Sequence, residues 1–202
     1  MLIQSKYVEK WMEYIRNNPE NSRRMTECFW PSQMDSKQWI IQKLKDETIF
    51  DTSFSNIVIF GGWYGILSQL ISSYWPGISI VSVDIDEECT KVFKEINCGD
   101  NIELLTENMS EYKYDMFPGV VINTICEHIT QKDYNVWWDN IPNGTKYIIQ
   151  GNNFFDCEEH IRASESLQHF LEQNYATDSI YSGYLDCGHF NRYMAIGIKQ
   201  SV

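Results

Sequence analysis

The chain has 202 residues, of which 43% are hydrophobic and 14% aromatic, and this is enough material for one domain with a well-packed core. Its formal net charge is −12, which disfavours a nucleic-acid binder because phosphates usually face a basic protein surface. No apolar run reaches the roughly 18 residues of a membrane helix, and the N-terminal residues lack the pattern of a secretory signal, so we expect a cytoplasmic protein without a membrane partner.

Residues 1–48 are predicted to form a helical N-terminal extension. Apolar side chains recur at spacings of three and four from Tyr7 to Ile15, and a second helix follows Ser36 and continues to about Thr48. The basic residues of this segment fit a solvated helix face better than a phosphate-binding patch. The extension is expected either to pack on the main domain or to act as a lid over its site.

Residues 49–202 are predicted to form the main domain, in which short apolar strands alternate with helices. Such strands indicate a parallel sheet that helices cover on both faces. The predicted strands are Asn56–Phe60, Ile78–Val83, Ile102–Leu105, Gly119–Asn123 and Lys146–Gln150, and the predicted helices are Tyr64–Tyr74, Asp86–Ile96, Gln131–Trp138 and Cys157–Gln173.

The C-terminal part of the chain breaks this alternation. Asp178–Tyr184 and Tyr193–Ile198 are both strand-like, and a turn-rich segment without a helix joins them, which indicates an antiparallel hairpin. The predicted fold is therefore a doubly wound α/β domain. It has a seven-stranded, mostly parallel sheet with an antiparallel C-terminal hairpin, and it carries the helical N-terminal extension.

A glycine-rich turn, Gly61-Gly62-Trp63-Tyr64-Gly65, follows the first predicted strand. Glycine lets the backbone approach a ligand closely, and the helix that follows presents free N–H groups at its start. Asp84 comes about 20 residues later, at the end of the second predicted strand, where a carboxylate can accept hydrogen bonds from both ribose hydroxyls. Together these features predict a nucleotide-type cofactor at the carboxyl edge of the sheet.

At these positions the chain resembles the class I S-adenosylmethionine-dependent methyltransferases, and the resemblance extends over about residues 50–200. It implies that Asn108, after the third strand, lies beside the adenine, and that Asn123 ends the fourth strand beneath the methyl group. The cofactor-binding residues implied by the resemblance are Gly61, Gly62, Trp63, Gly65, Asp84, Ile85, Asn108, Met109 and Asn123.

The turn departs from related patterns in ways that bear on the cofactor. Ile59 stands where the family usually has an acidic residue, and Trp63 replaces its middle glycine. The turn is not the dinucleotide pattern G-x-G-x-x-G, and no phosphate-binding Lys-Ser/Thr follows it. S-adenosylmethionine has no phosphate, so the pattern favours this methyl donor, with S-adenosylhomocysteine as its product, over NAD or ATP.

The resemblance implies methyl transfer to an unidentified acceptor, for which a small molecule is expected. His128 is the candidate general base because it follows the fourth strand; alternatively, Glu127-His128 only fixes this loop. His160 and His189 could reach the same place, and the amides of Asn152 and Asn153 could orient an acceptor or simply form a turn.

The sequence leaves two alternatives to a methyltransferase open. One is a non-catalytic S-adenosylmethionine-binding protein of the same fold, and the other is an enzyme that uses another nucleotide cofactor. The residues Asn123-Thr124-Ile125-Cys126 lack the Pro-Pro run of DNA amino methyltransferases, which argues against that substrate.

The six cysteines are widely scattered and form no CxxC pair, so reduced thiols are expected rather than disulfides. Cys157, His160, Cys187 and His189 could in principle supply four zinc ligands, but their spacings match no common zinc-binding pattern. The sequence therefore predicts no metal site.

Overall fold

Seven strands form one sheet in the computed structural model, which describes residues 5–46, 54–97 and 99–200. The strands are β1 (Asn56–Phe60), β2 (Ser79–Asp84), β3 (Ile102–Thr106), β4 (Val120–Asn123), β5 (Lys146–Asn152), β6 (Tyr181–Asp186) and β7 (Asn191–Ile198). Their order is β3-β2-β1-β4-β5-β7-β6, with β1 to β5 parallel and β7 antiparallel to both β5 and β6. The predicted fold class is confirmed.

The helices begin at residues that favour helix starts. Pro31 is the first residue of its helix, where its missing N–H costs nothing. The Asp86, Thr130 and Ser166 side chains each accept a hydrogen bond from a backbone N–H of the first turn. The helices are α1 (Ser5–Asn17), α2 (Ser22–Glu27), α3 (Pro31–Leu44), α4 (Ile66–Tyr74), α5 (Glu87–Ile96), α6 (Gln131–Asn140) and α7 (Leu167–Gln173).

Alternate residues of each strand feed two hydrophobic cores, one on either face of the sheet. Ile57 and Ile59 of β1 point to the face that α4 and α5 cover, and Val58 and Phe60 point to the face that α6 and α7 cover. The first core also includes Trp11, together with buried residues of α2 and α3. The N-terminal helices therefore share a core with the sheet.

Three predicted elements differ from the structure. The helix predicted over Cys157–Gln173 is wrong in its first half, because residues 153–166 form turns and only α7 is helical. In this segment the Arg162 side chain is buried and bonds backbone carbonyls, and Ser166 caps the start of α7. The second N-terminal helix begins at Pro31, before Ser36, while Thr48 lies outside the described residues.

The last strand before the hairpin turn is shifted along the chain. β6 runs from Tyr181 to Asp186 and not from Asp178 to Tyr184. Its register is fixed by pairing with β7, in which Tyr184 lies opposite Tyr193.

Within the described residues, no helix combines the length and hydrophobicity needed to span a membrane.

Candidate cofactor and acceptor site

The glycine turn after β1 lies across the end of β2, as the N–H groups of Gly61 and Gly62 both donate to the Val83 carbonyl at 3.0 and 3.1 Å. Gly61 has φ 75°, and a Cβ there would lie 2.2 Å from Cγ2 of Ile125. Gly65 has φ 79°, and a Cβ would lie 2.1 Å from the Phe93 ring. Both glycines are thus required by the packing of the chain itself.

Trp63 occupies a backbone conformation that normally favours glycine. Its φ is 46°, in the left-handed region, which costs a bulky residue on the order of 1 kcal/mol. The Trp63 N–H donates to Oδ2 of Asp84 at 2.7 Å, and its ring stacks at a tilt on Tyr64 with 5.6 Å between centroids. The hydrogen bond and the ring contact hold the strained residue in place.

Asp84 ends β2 and organises the loops on both sides of it. Besides Trp63, it accepts a hydrogen bond from the Asp86 N–H through Oδ1 at 3.0 Å. Burial raises the pKa of Asp84, and the two backbone N–H donors oppose this rise. Each carboxylate oxygen can accept a second hydrogen bond, so the group retains capacity for a ligand. Next to it, the Ile85 side chain is 70% exposed and offers an apolar contact surface.

Asn108 and Met109 lie at the same edge of the sheet, directly beyond β3. The amide oxygen of Asn108 already accepts hydrogen bonds from the backbone N–H and the hydroxyl of Ser110, at 3.0 and 2.9 Å. Met109 is buried in the core that contains Phe60 and Val83. The Asn108 side chain therefore stabilises the turn after β3, and the Met109 side chain packs that turn into the core.

Asn123 ends β4 and is fully buried. Its amide oxygen accepts a hydrogen bond from the Ile125 N–H at 2.9 Å. Its amide nitrogen has no hydrogen-bond partner among the described residues. A buried donor without a partner is costly, so this nitrogen is a natural contact point for a ligand.

Beyond β4, residues Cys126–His128 form a 3-10 turn that brings Glu127 and His128 to the end of β5. Glu127 is buried, and its Oε1 accepts a hydrogen bond from the Asn152 amide and lies 3.7 Å from Nη1 of Arg192. The His128 ring packs edge-on against the His160 ring, with 4.7 Å between their centroids. His128 is exposed as a residue, but partial desolvation of its ring and the neighbouring His160 lower its pKa, although Glu127 opposes them.

The N-terminal helices reach this edge of the sheet through Arg24 of α2. Its guanidinium donates to the Asp86 carboxylate, lies 3.8 Å from Glu88, and sits over the Tyr64 ring at 5.7 Å. The helix α2 is thereby held against the β2–α5 connection, next to Asp84.

Lys37 and Arg192 are not marked as site residues by the sequence, and the fold brings both to the same edge. The Lys37 ammonium donates to the carbonyl and the side-chain oxygen of Gln33, at 3.3 and 3.1 Å. Burial lowers the pKa of Lys37 to about 8; Cys28 opposes this and Arg192 adds to it. No local pattern marks Lys37, because a lysine on an N-terminal helix is usually exposed.

The other polar candidates are not gathered into this cluster. His189 is exposed in the turn between β6 and β7. The Asn153 side chain accepts a hydrogen bond from the Asn191 N–H at 2.6 Å, so it links two loops. Cys157, Cys187 and His189 are not part of the group of potential metal ligands found among the described residues, which contains Glu127, His128 and His160.

A separate apolar cavity of about 320 Å³ lies between α1, α2 and α4. Its walls include Tyr7, Trp11, Phe29 and Leu70. Neither Asp84 nor Asn123 lines it.

Comparisons with known proteins find a shared fold without recognisable sequence similarity. No family model matches the chain, and no curated protein matches its sequence. The N-methyltransferase NodS from Bradyrhizobium japonicum WM9 superposes with a TM-score of 0.64 at 8% identity, covering 85% of this chain and 98% of that one.

Two other solved structures agree. The plantazolicin methyltransferase BpumL, in complex with a pentazolic desmethylPZN analog and SAH, gives a TM-score of 0.65 at 12% identity over 98% of this chain and 100% of that one. YcgJ from Bacillus subtilis gives 0.64 at 11% identity over 84% and 100%. The chain has the fold of the class I S-adenosylmethionine-dependent methyltransferases.

Proposed function

We propose that this protein is an S-adenosylmethionine-dependent methyltransferase. The observation that carries the proposal is the arrangement of Asp84 at the end of β2. Its carboxylate holds the turn Gly61–Gly65 and still has free acceptor capacity, at the sheet edge where a doubly wound fold binds its nucleotide. Two of the solved structures named above, NodS and BpumL, are methyltransferases, and BpumL was crystallised with SAH.

The residues at this edge fit the nucleoside part of the cofactor. Asp84 would accept hydrogen bonds from the ribose hydroxyls, and the exposed Ile85 side chain would cover one face of the adenine. Asn108 and Met109 would line the adenine from the end of β3. The unpartnered amide nitrogen of Asn123 would meet the reacting end of the cofactor.

When bound, the cofactor supplies an activated methyl group, so the protein has to hold the acceptor in line with it and exclude water. We infer that the acceptor, a small molecule, enters over the ends of β4 and β5. His128 lies there with a lowered pKa, so its ring is neutral at pH 7 and able to accept a proton. A proton acceptor is required only when the acceptor atom carries a proton that it must lose.

A non-catalytic cofactor-binding protein is the second candidate, and one observation favours it. Ile59 stands where the family usually has an acidic residue, and it is fully buried in the core. Its apolar side chain offers no hydrogen-bond acceptor in place of that carboxylate. Binding and turnover separate the two candidates: the enzyme forms S-adenosylhomocysteine with a suitable acceptor, whereas the binding protein only retains the cofactor.

Isothermal titration calorimetry with S-adenosylhomocysteine, S-adenosylmethionine and NAD tests the cofactor. We expect binding of the first two and none of NAD. The Asp84→Ala variant should bind S-adenosylhomocysteine at least about tenfold more weakly, because each hydrogen bond to a charged group contributes about 1.5–3 kcal/mol.

The matched control is Asp186→Ala, since Asp186 also accepts a backbone N–H in a turn, at 2.7 Å, but lies at the other end of the sheet. Equal affinity of the Asp84→Ala variant and the unchanged protein would refute the assigned site. A screen of metabolites with a methyl-labelled donor then identifies the acceptor.

A further inference from the structure

Three side chains with metal-binding atoms meet beside the end of β5. Glu127 and His128 come from the 3-10 turn after β4, and His160 comes from the turns after β5. One ligand atom of each lies within 4.8 Å of the others. Around an ion with metal–ligand distances of about 2.1 Å, ligand atoms are roughly 3.4 Å apart, so small side-chain rotations would complete the site.

The Glu127 carboxylate has one oxygen that the protein leaves unsatisfied. The residue is 2% exposed, and its Oε1 is occupied by Asn152 and Arg192. Its Oε2 is buried and has no hydrogen-bond partner in the described part of the chain. A buried carboxylate oxygen without a partner is unfavourable, and a bound cation would satisfy it.

The hydrogen bond of His160 prepares its ring for metal binding. Nδ1 lies 2.7 Å from the Phe154 carbonyl, which can only accept, so Nδ1 carries the proton. Nε2 is then unprotonated, and its lone pair can bind a metal ion. A histidine ligand whose other nitrogen donates to a backbone carbonyl is the usual arrangement in metalloproteins.

The charges around the cluster allow a divalent ion. Arg192 compensates part of the Glu127 charge through Oε1, at 3.7 Å, and its positive charge also acts on His128. Glu159, which is exposed, adds a second negative charge that acts on His128.

We propose that Glu127, His128 and His160 bind one divalent transition-metal ion. Two imidazoles and one carboxylate suit Zn²⁺, Mn²⁺ or Fe²⁺, whereas Mg²⁺ and Ca²⁺ prefer oxygen ligands throughout. The site differs from the zinc arrangement weighed from the sequence, since it includes His160 but none of the cysteines. Three protein ligands leave at least one coordination position open.

The open position is available to the acceptor, which is proposed to enter over the ends of β4 and β5 beside this cluster, and this part rests on the proposed function. It would take an acceptor oxygen, which favours a hydroxyl-bearing substrate. The ion would lower the pKa of that hydroxyl, so that its proton is lost to bulk solvent as the acceptor binds, before water is excluded. In the transfer, the oxygen forms the new O–C bond while the sulfonium C–S bond breaks and its electron pair stays on sulfur. With the ion bound, His128 is a ligand, and it can act as the base only in the metal-free protein.

The test is metal binding by the full chain after chelation and dialysis, measured by calorimetry with ZnCl₂, MnCl₂ and MgCl₂ and by the loss of the free Mn²⁺ signal in electron paramagnetic resonance. We expect one ion per chain, with Zn²⁺ bound more tightly than Mg²⁺. The His160→Ala and His128→Ala variants should lose more than about tenfold in affinity, and Glu127→Gln, which keeps the side-chain volume, should do the same.

His189→Ala is the matched control, because His189 is exposed in a turn outside the cluster, and its affinity should equal that of the unchanged protein. Absence of binding, tighter binding of Mg²⁺, or equal affinity of the His160→Ala and unchanged proteins would each overturn the metal site. Calorimetry with S-adenosylhomocysteine on the same samples keeps the two proposals apart: a metal-binding chain that fails to bind it refutes only the proposed function.

Discussion

Individual residues of the glycine turn are constrained by packing as well as by any ligand. Gly65 has φ 79°, and Phe93 of α5 fills the space where its Cβ would be. A side chain here would meet both a backbone strain and a collision with a buried ring. The first turn of α4 is thereby locked against α5.

We expect Gly65→Ala to be strongly destabilising. The left-handed backbone costs an alanine about 1–2 kcal/mol, and overpacking in a core costs typically 1–3 kcal/mol more. Urea unfolding measures the total. Gly188→Ala is the control, because Gly188 has φ 85° but nothing within 4 Å of its Cβ position, so only the strain remains. Equal losses in the two variants would contradict the contact with Phe93.

Arg162 is a second residue whose role is set by its contacts. Its guanidinium donates to the carbonyls of Cys126 and Gln173 and to the side chains of Gln131 and Asn174, at 2.7 to 3.0 Å. It joins the turn after β4 to both α6 and α7. The position of the Glu127-His128 turn therefore depends on it.

Arg162→Ala should lower the free energy of unfolding by about 3 kcal/mol or more, since it leaves several buried acceptors unpaired. Denaturant unfolding checks this value. Arg23→Ala provides the comparison, as the Arg23 side chain is 94% exposed and its change should cost under about 0.5 kcal/mol. A similar loss in both variants would show that the buried network contributes nothing.

Among the elements, α2 is the one whose docking depends on charge. Arg24 bonds Asp86 while both side chains remain partly exposed, at 45% and 30%. Burial would raise the pKa of Asp86, but the Arg24 hydrogen bond, the Glu88 N–H and the Arg24 charge outweigh it, and the pKa is lowered. The pair contributes stability above the pKa of the unfolded chain, about 3.9, and loses it as the pH falls through the lower folded value.

Arg24→Ala should cost under about 1 kcal/mol at pH 7, because exposed ion pairs are weak. The difference from the unchanged protein should shrink at pH 3, because this lies below the pKa of an unfolded aspartate and proton uptake then favours the unfolded chain. Unfolding curves at both pH values test this, and faster hydrogen exchange in α2 should accompany the loss at pH 7. A difference that does not depend on pH would assign the effect to packing against Tyr64.

For the molecule as a whole, the burial of each cysteine thiol shows which parts of the chain the two cores shield from solvent. Cys28, Cys89, Cys126, Cys157 and Cys187 are free, and Cys98 lies outside the described residues. The first three are buried, and burial raises the pKa of each, that of Cys28 to about 12. The thiolates that would react are therefore scarce at pH 8.

Iodoacetamide at pH 8 should label Cys157 in the native protein, because it is only half-buried, and Cys187 more slowly, because burial raises the pKa of its thiol. Cys28, Cys89 and Cys126 should react only after unfolding in urea. Peptide mass spectrometry with and without urea reads out each site separately. Rapid native labelling of Cys89 or Cys126 would mean that the cores open under native conditions.

The order of the elements follows from local sequence patterns, and so does the prediction of a cofactor site at the ends of β1 and β2. Short apolar runs such as Asn56–Phe60 identified the strands of the parallel sheet, because a strand buried on both faces needs apolar residues almost throughout. The turn-rich segment before Asn191 identified the antiparallel hairpin, since no helix separates its strands. Gly61, Gly65 and Asp84 were recognisable because glycine turns and a strand-end acid have fixed spacing along the chain.

Which distant side chains meet depends on the tertiary structure. The parallel order of β4 and β5 and the reversal at β7 bring the segments of His160 and Arg192 to one edge. Lys37 reaches it on α3, where the Ser36 carbonyl accepts a hydrogen bond from Gln150 of β5. The helix predicted from Cys157 is wrong in its first half for a similar reason. There the Arg162 side chain donates to the Cys126 carbonyl in the turn after β4 and to the Gln173 carbonyl at the end of α7. Local patterns encode spacing along the chain, while these contacts depend on where the sheet places its strand ends.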